Sequence, residues 1–154
     1  MKHDELVKWI RENTLEVFDE EIHWQPYKRL FGANLKDIYV DLIGTDSENR
    51  TVIVEVKTEF GHRDTTRRRD AVHKSVGQVL SYGYAFLSDK IREEQDIGDI
   101  SEIELKKRSE QLRLFIVSTT ISPACEVICK FLQAHGINIS HRAINSNVAI
   151  NSNV

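Results

Sequence analysis

The sequence predicts an α/β domain: a mixed central sheet flanked by helices, in the order helix, three strands, helix, strand, helix, strand. Three observations carry that expectation. Two short apolar runs, Ile38 to Ile43 and Thr51 to Val56, flank the breaker-rich segment Gly44 to Asn49 and read as a hairpin. The stretch Leu112 to Thr119 (LRLFIVST) is nearly continuous in apolar residues, as expected of a strand covered on both faces. Helix-period segments follow each of these blocks, and two such crossovers favour parallel pairing of the later strands.

Taken in order, Asp4 to about Phe18 is amphipathic, with Leu6, Trp9, Ile10, Leu15 and Phe18 near helical spacing and Asp4 a candidate N-cap. Ile22 to Leu30 supplies a first strand, which Pro26 makes short, bulged or an edge. After the hairpin, Ser75 to Leu87 forms the second helix, and Gly77 and Gly83 suggest a close approach to the sheet. From Ser88 to Gln111 runs a charged insertion in which eight acidic residues outnumber five basic ones, with a surface helix in Ile100 to Glu110. Ser122-Pro123 starts a third helix that Gly136 ends, and a last strand spans Asn138 to Ile144. Residues 1–144 are therefore read as one domain. The remainder, 145–154, completes a tandem copy of Ala-Ile-Asn-Ser-Asn-Val and is expected to be a flexible Asn/Ser-rich tail.

Composition narrows the class. With 154 residues, 40% hydrophobic and 29% charged, the chain has enough apolar content for a sizeable core. No apolar run approaches the roughly 20 residues of a membrane span, and MKHDELVKW lacks a signal-peptide core, so a cytoplasmic protein without a membrane partner is expected. Cys125 and Cys129 read as core thiols of a reducing compartment, and the six histidines show no HxxxH spacing that would suggest zinc. The net charge of −3 does not advertise a nucleic-acid binder. One segment does: Arg63, Arg67, Arg68, Arg69 and Lys74 lie close behind the hairpin, where they serve either as phosphate contacts or as an ordinary solvated loop and helix start.

The hairpin holds the chemistry. Strand alternation puts Tyr39, Asp41 and Ile43 on one side of its first strand and Ile53, Glu55 and Lys57 on one side of its second. Charges among β-branched residues need partners, and two carboxylates together repel unless a cation sits between them. Mg²⁺ suits such a pair, taking hard oxygen ligands at about 2.0–2.1 Å and retaining waters. Lys57 stands ready to orient such a water or to offset charge on a phosphate.

Asp41, followed fourteen residues later by Glu55-Val56-Lys57, resembles the D…(D/E)xK signature of the PD-(D/E)XK nucleases. The resemblance extends to His73-Lys-Ser-Val-Gly-Gln78-Val-Leu-Ser-Tyr82, which is similar to the QxxxY helix of the RecB-like and NucS/EndoMS-like branches, with Gln78 and Tyr82 at i, i+4. Through VDLIGTDSENRTVIVEVK and QVLSYGYAFL it resembles most the C-terminal nuclease domain of the NucS/EndoMS mismatch endonucleases. The resemblance implies a restriction-endonuclease-like core and Mg²⁺- or Mn²⁺-dependent hydrolysis of DNA. Asp41, Glu55 and the Val56 main-chain carbonyl would hold the metal, with Lys57, Gln78 and Tyr82 as further catalytic residues. It also implies a first-helix glutamate in the metal shell, Glu5 being the first candidate and Glu12 the second, although Glu5 equally suits a helix N-terminus. The iron–sulfur cluster of some RecB-like nucleases needs four cysteines and is not expected with two. Cutting both strands of a duplex points to a homodimer. The competing class is a catalytically silent nucleic-acid or protein binding module on the same fold. The long basic linker before Gln78, the insertion after Leu87 and the lack of a proline close before Asp41 depart from the family pattern. No counterpart of the separate NucS/EndoMS N-terminal domain is matched, so mismatch specificity is not implied.

Overall fold

A computed structural model describes residues 2–26, 29–30, 38–58, 65–92 and 97–144, with the backbone alone for 29–30, 38, 65–68, 89–92 and 97. The predicted tail and Arg63 lie outside the described residues.

Helix α1 (His3–Glu12) forms because Leu6, Val7, Trp9 and Ile10 share one stripe that can be buried together. It begins at His3 rather than behind an Asp4 cap, and Glu5 Oε2 accepts from the Lys2 N–H at 3.1 Å. The helix expected to reach Phe18 is interrupted at Asn13, whose Nδ2 donates to the Trp9 carbonyl at 2.8 Å. Such a side chain competes with the backbone ladder, and α2 (Thr14–Phe18) restarts beyond it.

Strand β1 (Ile22–Trp24) stops short of Pro26 and lies at a sheet edge, antiparallel to Gly44, Thr45 and Asp46. The first predicted hairpin strand proves to be two. β2 (Arg29–Leu30) and β3 (Ile38–Tyr39) make a separate ribbon; the chain bends at Asp41, and β4 (Leu42–Asp46) then runs through Gly44 and Thr45. Tyr39 and Asp41 therefore do not belong to one strand with Ile43. Gly44 is a close-approach residue rather than a turn residue: a Cβ there would lie 2.5 Å from the His23 carbonyl oxygen and 2.9 Å from the Trp24 ring.

β5 (Thr51–Lys57) is the centre of a five-stranded sheet, flanked by β1 and β4 on one side and by two later strands on the other. It pairs antiparallel with β4 and parallel with β6 (Leu112–Ser118), which in turn runs parallel to β7 (Ile139–Ala143). The mixed sheet, the two crossovers and the parallel later strands match the expectation. Helix α3 (Thr65–Arg92) is much longer than the predicted Ser75 to Leu87, because its charged end turns carry no apolar period to reveal them. Gly83 does bring it close to β6, where a Cβ would meet Leu112 Cδ2 at 3.0 Å, whereas a Cβ at Gly77 would meet nothing within 4 Å among the described residues beyond the helix backbone. The described part of the insertion holds a 3₁₀ turn (Ile97–Asp99) and α4 (Glu102–Ser109), capped by Ser101 and without a buried residue. α5 (Pro123–Ala134) starts as read, with Ser122 Oγ accepting from the Cys125 N–H at 3.2 Å, and Gly136 follows it at φ +83°.

Successive β5 residues face opposite layers. Val52, Val54 and Val56 enter a core with Leu6, Ile10 and Phe18 of α1 and α2. Ile53 enters the other, with Val72, Val76 and Val79 of α3 and the free thiols Cys125 and Cys129 of α5. At the N-terminal end of β5, Asp46 is buried yet satisfied. Its Oδ1 accepts from the Glu48 and Arg50 N–H groups at 3.0 and 2.8 Å, and its Oδ2 from Arg50 Nε and Arg113 Nη1 at 2.8 and 3.0 Å. Arg113 also grips Glu20 at 2.6 and 3.1 Å. Burial opposes ionisation of Asp46, but the bonds from Arg50 and Arg113 outweigh it and hold the carboxyl below its usual value.

Arg113→Leu should accordingly cost about 2 kcal/mol in a denaturant titration, since Arg50 still pairs with the buried carboxylate. Asp46 has a lowered folded pKa, so its contribution is fully present above the unfolded value and fades as pH falls through the folded one. The Arg113→Leu penalty should therefore shrink below about pH 4; an equal penalty at pH 3 and 7 would contradict this account.

Candidate functional site

The pairing of β4 with β5 ends at Leu42 opposite Val54, while β6 continues alongside β5 to Lys57, opposite Ser118. The last turn of the central strand thus projects beyond its antiparallel neighbour. Asp41, at the bend ahead of β4, fills the gap, and its Oδ2 accepts from the Val56 N–H at 2.7 Å. The side chain engages Val56 through that N–H. The Oδ1 of Asp41 meets His3 Nε2 at 3.3 Å.

Glu55 and Lys57 share the β5 face that carries Ile53, toward α3. Lys57 Nζ lies 3.4 Å from Glu55 Oε1, and Glu55 retains only 5% of its surface. Burial first, and then the Asp41 charge, push the Glu55 carboxyl up; Lys57 and His3 offset this only in part. Tyr82 comes in from α3, and burial, the two carboxylates and its hydrogen bond to Glu55 push its phenol up to about 12. It therefore stays protonated and donates to the carboxylate. One helical turn earlier, Gln78 Oε1 is buried and has no hydrogen-bond partner among the described residues.

The structure thus brings together Asp41, Glu55, Lys57 and Tyr82, with Gln78 one helical turn from Tyr82 on the same row of α3. Lys74 is exposed one further turn back on the same row, at i, i+4, i+8 with Gln78 and Tyr82, whereas exposed Arg69 falls outside that row. Arg67 and Arg68 lie on α3, but their side chains, like all of Arg63, are outside the described residues. Glu5 is exposed and bonded to the helix start, and Glu12 is exposed beside Lys8 at 3.9 Å. The first-helix residue that reaches the carboxylates is His3. Sequence reading missed it because the helix was started one residue too late; its adjacency to Asp4 and Glu5 was the available signal.

Chemically, the cluster pairs a buried carboxylate, Glu55, with a half-buried one, Asp41, and holds more negative charge than Lys57 alone neutralises. An unsatisfied amide oxygen lies on the helix row beside it. That donor chemistry fits a divalent cation such as Mg²⁺. Among the described residues no group of three His, Cys, Asp or Glu is placed to hold a metal ion.

No protein-family model and no curated protein matches the chain. Solved structures do. EndoMS in a complex with double-stranded DNA aligns over 90% of this chain and 43% of its own, at 16% identity and a TM-score of 0.53. A repair endonuclease from Pyrococcus abyssi aligns over 94% of this chain and 47% of its own, also at 16% identity and 0.53. The chain spans less than half the length of either, and over that span it shares their fold.

Proposed function

We propose that the protein is a Mg²⁺- or Mn²⁺-dependent deoxyribonuclease that hydrolyses phosphodiester bonds, acting as an endonuclease. The observation that carries this reading is the convergence of Asp41, Glu55 and Lys57 at the projecting end of β5 with Tyr82 of α3. The fold shared with two endonucleases, one of them solved on double-stranded DNA, supports DNA as the polymer.

Asp41 and Glu55, with the Val56 main-chain carbonyl, are the residues to hold the metal. When bound, the ion would supply Lewis-acid stabilisation of the charge that develops on the phosphate. Lys57 orients the attacking water and offsets part of that charge. Gln78 Oε1, an acceptor without a partner among the described residues, takes a hydrogen bond from that water. The water oxygen bonds to phosphorus as one ester P–O bond breaks, leaving a phosphomonoester and a hydroxyl. Tyr82 fixes the Glu55 rotamer by its hydrogen bond, and Lys74 at the outer end of the row contacts the phosphate backbone.

Lys57→Ala should lower cleavage of labelled DNA at least roughly 100-fold with an unchanged circular-dichroism spectrum; turnover at the wild-type rate would sink the mechanism. Chelation with EDTA should stop wild-type cleavage, and Mg²⁺ or Mn²⁺ should restore it. Glu55 has a raised folded pKa, so the fold favours its protonated form and loses that contribution as pH rises through the folded value. Glu55→Gln should therefore raise the Tm of metal-free protein at neutral pH while removing any upward shift with Mg²⁺. A lower Tm would instead identify the carboxylate as a structural group.

A further inference from the structure

Helix α5 is apolar on two sides. Toward the sheet and α3, Cys125 and Cys129 are buried, with Ile128 and Leu132 packed against the same core. On the outer side Val127 is 65% exposed and Phe131 63%, with exposed Ala124 and Ala134 continuing the row before and after them. A helix that is apolar all round is ordinarily covered all round. The Phe131 ring is also held in position: His135 stands against it at 4.6 Å between ring centroids, and His135 Nδ1 donates to the Phe131 carbonyl at 2.9 Å. Charge borders the outer row on one side only, at Glu126 and Lys130.

We propose that this outer row is the contact between two copies of the protein, with α5 lying antiparallel on α5 of the second copy across a two-fold axis. A two-fold contact uses one patch on both partners, so the patch must be its own complement. The row runs small, large, large, small from Ala124 to Ala134, the same in either direction. About an axis level with Cys129, Phe131 meets the partner's Val127 and Ala124 meets the partner's Ala134. The alanines let the helix axes come to the roughly 8–10 Å of packed helices. Charge agrees with this order. Along the flank the four groups run Glu126, the partner's Lys130, Lys130, the partner's Glu126, so each lysine has a carboxylate of the other copy beside it. A surface fitted to an unrelated protein is under no such constraint of size and charge together. One helix from each copy covers less than a standard interface, which makes the dimer a weak one. The inference stands on α5 and is independent of the nuclease reading.

The test is sedimentation equilibrium of the protein in EDTA from about 5 to about 500 µM, a range that covers weak association. Wild type is compared with Phe131→Glu, Lys130→Glu, Glu126→Lys, the double exchange of both charges, and Ile103→Glu, a control at a residue 82% exposed on α4. Wild type should pass from monomer to dimer and no further. Phe131→Glu should weaken the dimer at least roughly 30-fold. Each single charge change should weaken it about five-fold, and the double exchange should return it to within about two-fold of wild type. Glu126 also lies 4.0 Å from His141 Nδ1, so Lys130→Glu, which leaves that contact alone, is the cleaner single change. Ile103→Glu should leave association unchanged. A wild type that stays monomeric, a dimer untouched by Phe131→Glu, or a double exchange no better than the single changes would overturn the proposal. Cleavage that Lys57→Ala abolishes, in a protein monomeric throughout, sinks this inference and leaves the nuclease reading standing. A dimer broken by Phe131→Glu in a protein that cuts no DNA sinks hydrolysis and leaves the α5 contact.

Discussion

Burying Glu55 beside Asp41 is the constraint on which the arrangement of this protein turns. A carboxylate almost wholly removed from water, with a second one repelling it, is unfavourable, and Lys57 at 3.4 Å relieves it incompletely. Everything that reaches the cluster reduces that unfavourable charge or shields it: the Tyr82 hydroxyl from α3, the His3 ring from α1, and the Val56 N–H that binds Asp41. The helices on the two faces of the sheet are thus tied to one point as well as to two hydrophobic cores.

The sheet dictates where that point falls. Its strands run antiparallel on one side of β5 and parallel on the other, and the antiparallel partner ends first. A strand end left half-paired exposes main-chain groups that must find partners. Asp41 supplies one because the bend before β4 turns its side chain back across the gap. The change of direction in the sheet therefore creates both the opening and the carboxylate that fills it.

Much of this was legible in the sequence, and the misses have physical causes. Alternation placed Ile53, Glu55 and Lys57 on one face, and helical spacing placed Gln78 with Tyr82, because both patterns depend on local geometry. Gly44 misled: a residue without a side chain signals a turn or a close strand neighbour equally, and only tertiary contact with His23 and Trp24 decides between them. The bend at Asp41 was invisible for the same reason, since Val40 and Leu42 are β-branched or apolar and read as one strand. The outer turns of α3 were hidden by charge, which a solvated helix and a solvated loop share. His3 fell outside a helix whose start was set by a capping rule that Glu5, rather than Asp4, satisfies.

A comparison within the molecule sharpens the functional argument. Asp46 and Glu55 are both buried, at 4% and 5% exposure, Asp46 at the end of β4 beside the start of β5 and Glu55 near the end of β5. Asp46 collects two main-chain N–H groups and two guanidinium groups, and its carboxyl is held below its usual value. Such a group is a fastener: its charge is spent on the fold, and nothing further is needed to stabilise it. Glu55 has one lysine, one phenol and a repelling carboxylate, and its carboxyl is pushed the other way. A fold able to satisfy one buried carboxylate so fully leaves the other short of positive charge. That asymmetry, more than the presence of acidic residues, separates the candidate site from the structural clamp.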